Sequence, residues 1–258
     1  MNIRNRLYIA TYATNSLDVI KSNGLGMESN HVCMTEYLNS DKIEDTYNGI
    51  VEDIERCGCA DKLILHAPFT EIIPMGIDQR IVMLGMERLN EAAELAVRLG
   101  TKKMVVHTGL ITDMYFDEWH IEKSSIFWSK FIENKPKDFK LVIENVFENS
   151  PKALKEIIDN INDPRVGICL DVGHANAVEK EYSAEDWISY LGNRINHFHI
   201  HNNNGERKDT HSPIGLGTID YKSIFKSIEK NCNDEVTFTI ESMNCEDSIK
   251  WLIEEKYI

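Results

Sequence analysis

Eight short apolar segments recur along the chain, each followed by a stretch with helical spacing. They are Leu7–Thr11, Leu25–Ser29, Lys62–His66, Lys103–His107, Lys140–Glu144, Val166–Asp171, Ile195–His201 and Val236–Glu241. Strict strand–helix alternation implies parallel strands, because a parallel connection needs a crossover long enough to hold a helix. Eight such units with no compositional break predict an α/β chain closed into a (β/α)8 barrel, one domain over residues 1–258. An open doubly wound sheet would usually carry a glycine-rich phosphate loop after its first strand; the stretch ATYATNSLD at 10–18 has none.

Helix starts are marked in places. Asp78 is placed to cap a long helix over Arg80–Leu99, and Ser150-Pro151 reads as an N-cap with proline at the first helical position. Ser183 to Asp186 resembles a capping box with aspartate in place of glutamate, and Asp220 precedes the helical set Tyr221, Ile224, Phe225 and Ile228.

A formal net charge of −14 favours solubility and disfavours non-specific binding to nucleic acid. The N-terminal segment has no sustained apolar run, so neither a secretory signal nor a membrane span is expected. Six scattered cysteines, with Cys57 and Cys59 one residue apart, do not form a disulfide framework or a zinc pair, which points to a reducing, cytoplasmic setting.

The chemistry is concentrated at the strand ends. The third strand ends at His66, the fourth at His107, the fifth at Glu144 and Asn145, and the sixth at Asp171 with His174 just beyond. The seventh carries His197, His199 and His201 on one face, its loop adds Asp209 and His211, and the eighth ends at Glu241. In a parallel barrel all these ends open on one mouth. A single strand-end histidine is more often structural, but six consecutive strands ending in His, Asp or Glu with no Lys or Arg among them predict a metal site. Imidazole and carboxylate without thiolate suit a divalent metal such as zinc or manganese, with room for more than one ion. His31 and His120 are expected in loops, and His197 in packing. His201 and Asn145 are expected to support substrate or a neighbouring ligand. Trp119, with Tyr115 and Phe116, is expected in the loop after the fourth strand, over the mouth. Arg207, beside Lys208, is the local candidate for holding an anionic or hydroxylated substrate.

The stretches ENV at 144–146, LDVGHAN at 170–176, HFHIHNNNGERKDTH at 197–211 and GLGTIDY at 215–221 resemble the xylose isomerase-like TIM-barrel superfamily. That superfamily holds the sugar phosphate isomerase/epimerase group and the endonuclease IV group. The resemblance to the first group implies a divalent-metal-dependent sugar or sugar-phosphate isomerase/epimerase, with one ion on Glu144, Asp171, His199 and Glu241. Glu144 and Glu241 would act as acid and base through an enediolate, and His174 would touch a substrate oxygen. Resemblance to the second group implies an alternative, a multi-zinc phosphoesterase. Its nine ligands would be His66, His107, Glu144, Asp171, His174, His199, Asp209, His211 and Glu241. The loop after the second strand has no Lys or Arg before Lys42, and that after the third none before Arg80. Duplex binding generally needs such cations, so the first reading is preferred, with a small sugar or sugar phosphate as partner. The family also suggests a homodimer.

Overall fold

The structure, a computed structural model, describes residues 1–178 and 181–258. In chain order the elements are β1 (Leu7–Ala10), α1 (Ser16–Asn23), β2 (Gly26–Ser29), α2 (Ile43–Cys57), β3 (Leu63–His66) and α3 (Gln79–Arg98). There follow β4 (Lys103–His107), α4 (Asp117–Glu133), β5 (Lys140–Glu144), α5 (Pro151–Ile161) and β6 (Val166–Asp171). Last come α6 (Val172–Ala177), α7 (Ala184–Leu191), β7 (Ile195–Ile200), α8 (Tyr221–Asn231), β8 (Thr237–Ile240) and α9 (Cys245–Glu254). The eight strands form one closed parallel barrel in sequence order, with β1 pairing both β2 and β8. Every strand boundary lies within one residue of the sequence expectation.

The alternation is less strict than expected, because β6 and β7 are joined by two helices. The first, α6, begins directly at the end of its strand. Asp171 both closes β6 and caps α6, accepting a hydrogen bond from the His174 amide at 2.6 Å. The caps expected at Asp78, Ser150, Ser183 and Asp220 are all formed, and Asp186 completes a reciprocal capping box with Ser183.

Period-two alternation turns one set of side chains into the barrel and the other toward the helices. The outward set, including Leu65, Val106, Ile143, Leu170 and Phe198, packs with the helices as the main core. Phe198 stacks on Phe238 with ring centroids 5.4 Å apart. The inward set begins with a small apolar plug of Ile64, Val105, Val142 and Cys169, against which Tyr8 packs. One step further along these strands the inward positions are His66, His107, Glu144 and Asp171. The same periodicity that fills the lower barrel therefore delivers polar side chains to its mouth.

A candidate metal centre at the barrel mouth

A cavity of about 610 Å³ opens at the C-terminal ends of the strands. Its walls include His66, His107, Glu144, His174, Asp209, His211 and Glu241, with Tyr12, Phe69 and Met243 toward the rim. No lysine or arginine is among the described residues that line it.

Three groups of ligand-type atoms meet there. Glu144, Asp171, His199 and Glu241 each bring one such atom within 4.8 Å of the others. His199 Nδ1 lies 3.3 Å from Glu144 Oε1, 3.3 Å from Glu241 Oε2 and 3.8 Å from Asp171 Oδ2. The second group shares Glu144, whose Oε2 is 3.4 Å from both His66 Nε2 and His107 Nε2. The third centres on Asp209, whose Oδ2 is 3.2 Å from His174 Nε2 and 2.7 Å from His211 Nε2. All nine sequence-predicted ligands are thus brought together.

The imidazoles are anchored from behind. His66 Nδ1 donates to the Ala67 carbonyl, His174 Nδ1 to the Asn145 carbonyl and His211 Nδ1 to the Glu241 carbonyl, each at 2.9 Å. In His66 and His211 the opposite nitrogen is the one turned to a carboxylate; in His174 Nε2 faces Asp209 while Nδ1 also lies 3.3 Å from Glu144 Oε1. Fixing one nitrogen so that the other is presented is the usual arrangement behind metal-binding histidines. His199 follows the same rule through a residue absent from the sequence expectations. Its Nε2 is 3.0 Å from Glu28 Oε1 on β2, and Glu28 Oε2 is 3.1 Å from His197 Nε2.

The donor set fits a divalent cation. Glu144 Oε2, His199 Nδ1 and His201 Nδ1 are buried polar atoms with no hydrogen-bond partner, and two of them face the shared carboxylate cluster. Orphaned buried atoms of this kind are costly unless something fills the gap. Electrostatics within the cluster diverge. Burial alone would raise the Glu144 carboxyl, but His199, His107 and His174 outweigh it and hold it well below the usual range. Burial, reinforced by the charges of Glu144 and Glu28, keeps Glu241 above that range against His199. Burial pushes His107 down to about 3. It would also lower His211, but the Asp209 hydrogen bond and the Glu241 charge bring that ring to about 9.

Other expected residues fall elsewhere. His201 is fully buried beside the centre, its Nε2 3.1 Å from both Asp171 oxygens and its Nδ1 3.5 Å from Asp209 Oδ1. A methyl group on Gly173 would collide with its ring. Asn145 ties β5 to β6, accepting from the Asp171 amide at 2.8 Å and donating to its carbonyl at 3.0 Å. Trp119 and His120 are not in a loop but in the first turn of α4, and His120 is buried. The Trp119 indole donates to the Met75 carbonyl at 2.8 Å, outside the cavity lining. Arg207 lines an adjoining cleft that shares His174 and Asp209 with the mouth. His31 does lie in a loop, 3.3 Å from Asp53. His197, fully buried, packs against Glu28 and Thr239 below the centre.

Comparison with known proteins identifies the fold and family. An uncharacterised protein of Methanocaldococcus jannaschii, MJ1311, is 30% identical over 202 residues, covering 73% of this chain and 67% of that protein. A D-tagatose 3-epimerase-like protein shares the fold with a TM-score of 0.76 at 24% identity, covering 98% of this chain and 96% of the other. The protein IolI, solved with a bound zinc atom, superposes with a TM-score of 0.73 at 17% identity over 98% and 99% of the two chains. A family profile described as the xylose isomerase-like TIM barrel matches residues 32–255, and with the closed parallel barrel and its mouth described above, the chain belongs to that family.

Proposed function

We propose that this chain is a divalent-metal-dependent isomerase or epimerase of small sugars or sugar phosphates. The observation that carries it is the meeting of Glu144, Asp171, His199 and Glu241 at the barrel mouth, where Glu144 and Glu241 line the cavity. Its volume of about 610 Å³ is the size of a small-molecule site. The epimerase-like and zinc-bearing fold relatives support the same reading.

Glu144, Asp171, His199 and Glu241 are the residues that would hold the ion, which would supply Lewis-acid polarisation of the substrate's carbonyl and hydroxyl oxygens. The rest is done by the chain. Glu144 closes β5 and Glu241 directly follows β8, so they reach the cavity from different strands. One carboxylate removes the proton from the carbon beside the carbonyl, and the other returns a proton to its opposite face. His174, 12% exposed, is placed to hold a substrate oxygen.

The test is a panel of ketoses and their phosphates in deuterated water with zinc or manganese. Exchange of the proton beside the carbonyl is expected, and a Glu241→Gln change should slow it by about 10²- to 10⁴-fold, the usual contribution of a positioned acid or base. No exchange with any substrate under full metal loading would sink the proposal.

A second reading, a multi-zinc phosphoesterase, is favoured by one observation: the His66/His107/Glu144 and His174/Asp209/His211 groups adjoin the first. Metal content separates the two. About one ion per chain favours the isomerase, whereas two or three zinc ions would send the search to phosphoesters, including abasic-site DNA.

A further inference from the structure

Glu28 sits in the barrel interior with no solvent exposure and engages three neighbours. Oε1 is 3.0 Å from His199 Nε2, while Oε2 is 3.1 Å from His197 Nε2 and accepts the Thr239 hydroxyl at 2.5 Å. A carboxylate has only acceptors, so both imidazole nitrogens facing it must carry protons. His197 is itself pinned from the far side, with Nδ1 2.6 Å from Thr237 Oγ1, and that hydroxyl accepts from Lys103 Nζ at 2.6 Å. The result is one continuous line of contacts from the foot of the barrel to the centre: Lys103, Thr237, His197, Glu28, His199. At its upper end the proton of His199 is held on Nε2. Nδ1 is the atom left facing Glu144, Asp171 and Glu241.

We propose that Glu28 is the positioning residue of the centre: it fixes the tautomer and ring angle of His199, and His197 with Thr239 holds Glu28 in turn. It is not part of the cavity wall. Its carboxylate lies within 4.8 Å of ligand-type atoms of His66, His199 and Glu241, but both oxygens are already engaged by His199, His197 and Thr239, so it acts through His199. The inference rests on the metal reading given above. Glutamine in its place would keep the shape, but its amide offers one acceptor and one donor where two donors converge. Either His199 or His197 then loses its acceptor, and the His199 ring is free to turn or to move its proton.

The experiment compares the parent, Glu28→Gln, Thr239→Val and His199→Gln, each stripped of metal and titrated with zinc against a chromophoric chelator. Melting is followed in EDTA and in excess zinc, and ¹⁵N spectra of the histidine rings are recorded. Glu28→Gln should weaken zinc about tenfold to a hundredfold, as loss of such partners typically does, and Thr239→Val should weaken it less but in the same direction. The zinc-loaded parent should show His199 protonated at Nε2, and Glu28→Gln should lose that single signature. Melting in EDTA registers only the imidazole left without its acceptor, so it should fall less than melting in excess zinc. Zinc affinity unchanged in both Glu28→Gln and Thr239→Val would overturn the inference, as would an equal loss of melting temperature with and without zinc. If His199→Gln binds zinc as tightly as the parent, the metal reading itself fails. If only that variant weakens binding, the reading stands and the role of Glu28 does not.

Discussion

Lys103 stands at the foot of the barrel with its Nζ 2.6 Å from Thr237 Oγ1 and 3.3 Å from the Asn196 carbonyl. Burial lowers its ammonium to about 8, with Cys169 and Glu28 opposing that shift. An unfolded lysine titrates near 10.4, so between about pH 8 and 10.4 the unfolded chain keeps a proton that the folded chain has released. Stability from this group is therefore fully present above that window and is lost as the pH falls through about 8. Lys103→Met, which keeps the stem and removes the charge, should lack the effect. Urea midpoints should show the parent gaining on the variant from pH 7.5 to 10; a constant difference would refute the assignment. The residue below the centre that the sequence hid is Glu28. Strand ends were legible because His and Glu there interrupt apolar runs. Glu28 lies inside the four-residue strand Gly26–Ser29, and its meaning comes from His197 and His199, 169 and 171 positions away. No local pattern encodes such a contact.

At the scale of elements, the segment 201–220 carries Asp209 and His211 without regular secondary structure beyond a bridge between Asn202 and Ser212. Beside a few main-chain bonds, its backbone is held by side-chain amides. Asn202 Nδ2 donates to the carbonyls of Ile214 (2.7 Å) and Ile219 (3.1 Å), and its Oδ1 accepts from the amides of Asn203 and Ile219. Asn203 Nδ2 donates to the Gly173 carbonyl at 2.8 Å and reaches Asp209 Oδ1 at 3.2 Å. These bonds hold a path on which Glu206, Arg207 and His211 adopt positive φ, a conformation non-glycine residues rarely take. Asn202→Ala would strand several of those backbone groups, at about 1–3 kcal/mol for each one left buried and unpaired. The expected result is a lower melting temperature and faster proteolytic cleavage within 201–220, with zinc still binding at Glu144, Asp171, His199 and Glu241. Unchanged cleavage would show that the loop is held by other means. The asparagine run was visible in the sequence as part of a family resemblance, but its mechanical role was not. The caps at Asp78, Ser150, Ser183 and Asp220 were legible because each signal is local. The start of α4 was not, because it has no side-chain cap, and so Trp119 and His120 were misplaced into a loop.

For the whole molecule, the barrel was readable from alternation alone, since eight strand–helix units have few other ways to bury their faces. What alternation does not reveal is how much anionic charge the closed barrel confines. Glu28, Glu144, Asp171 and Glu241 are at most 5% exposed, and among the described residues their buried counter-charges are chiefly imidazoles. Like charges at this separation in a low-dielectric interior oppose folding unless protons or a cation neutralise them. A bound divalent ion should therefore stabilise the fold as well as complete the site. By mass action, an ion at a thousand times its dissociation constant adds about 4 kcal/mol to the folded state. In a chain of this size each kcal/mol moves the melting temperature by about 2–4 °C. Stripping the protein with EDTA should thus lower its melting point by roughly 10 °C relative to saturating zinc or manganese, with magnesium at equal concentration giving less because five of the nine candidate ligands are imidazoles. The same titration gives the number of ions bound. Melting that is indifferent to all three metals would mean that the buried carboxylates are neutralised by imidazolium alone, and the mouth would then have to be read as a hydrogen-bonded polar core.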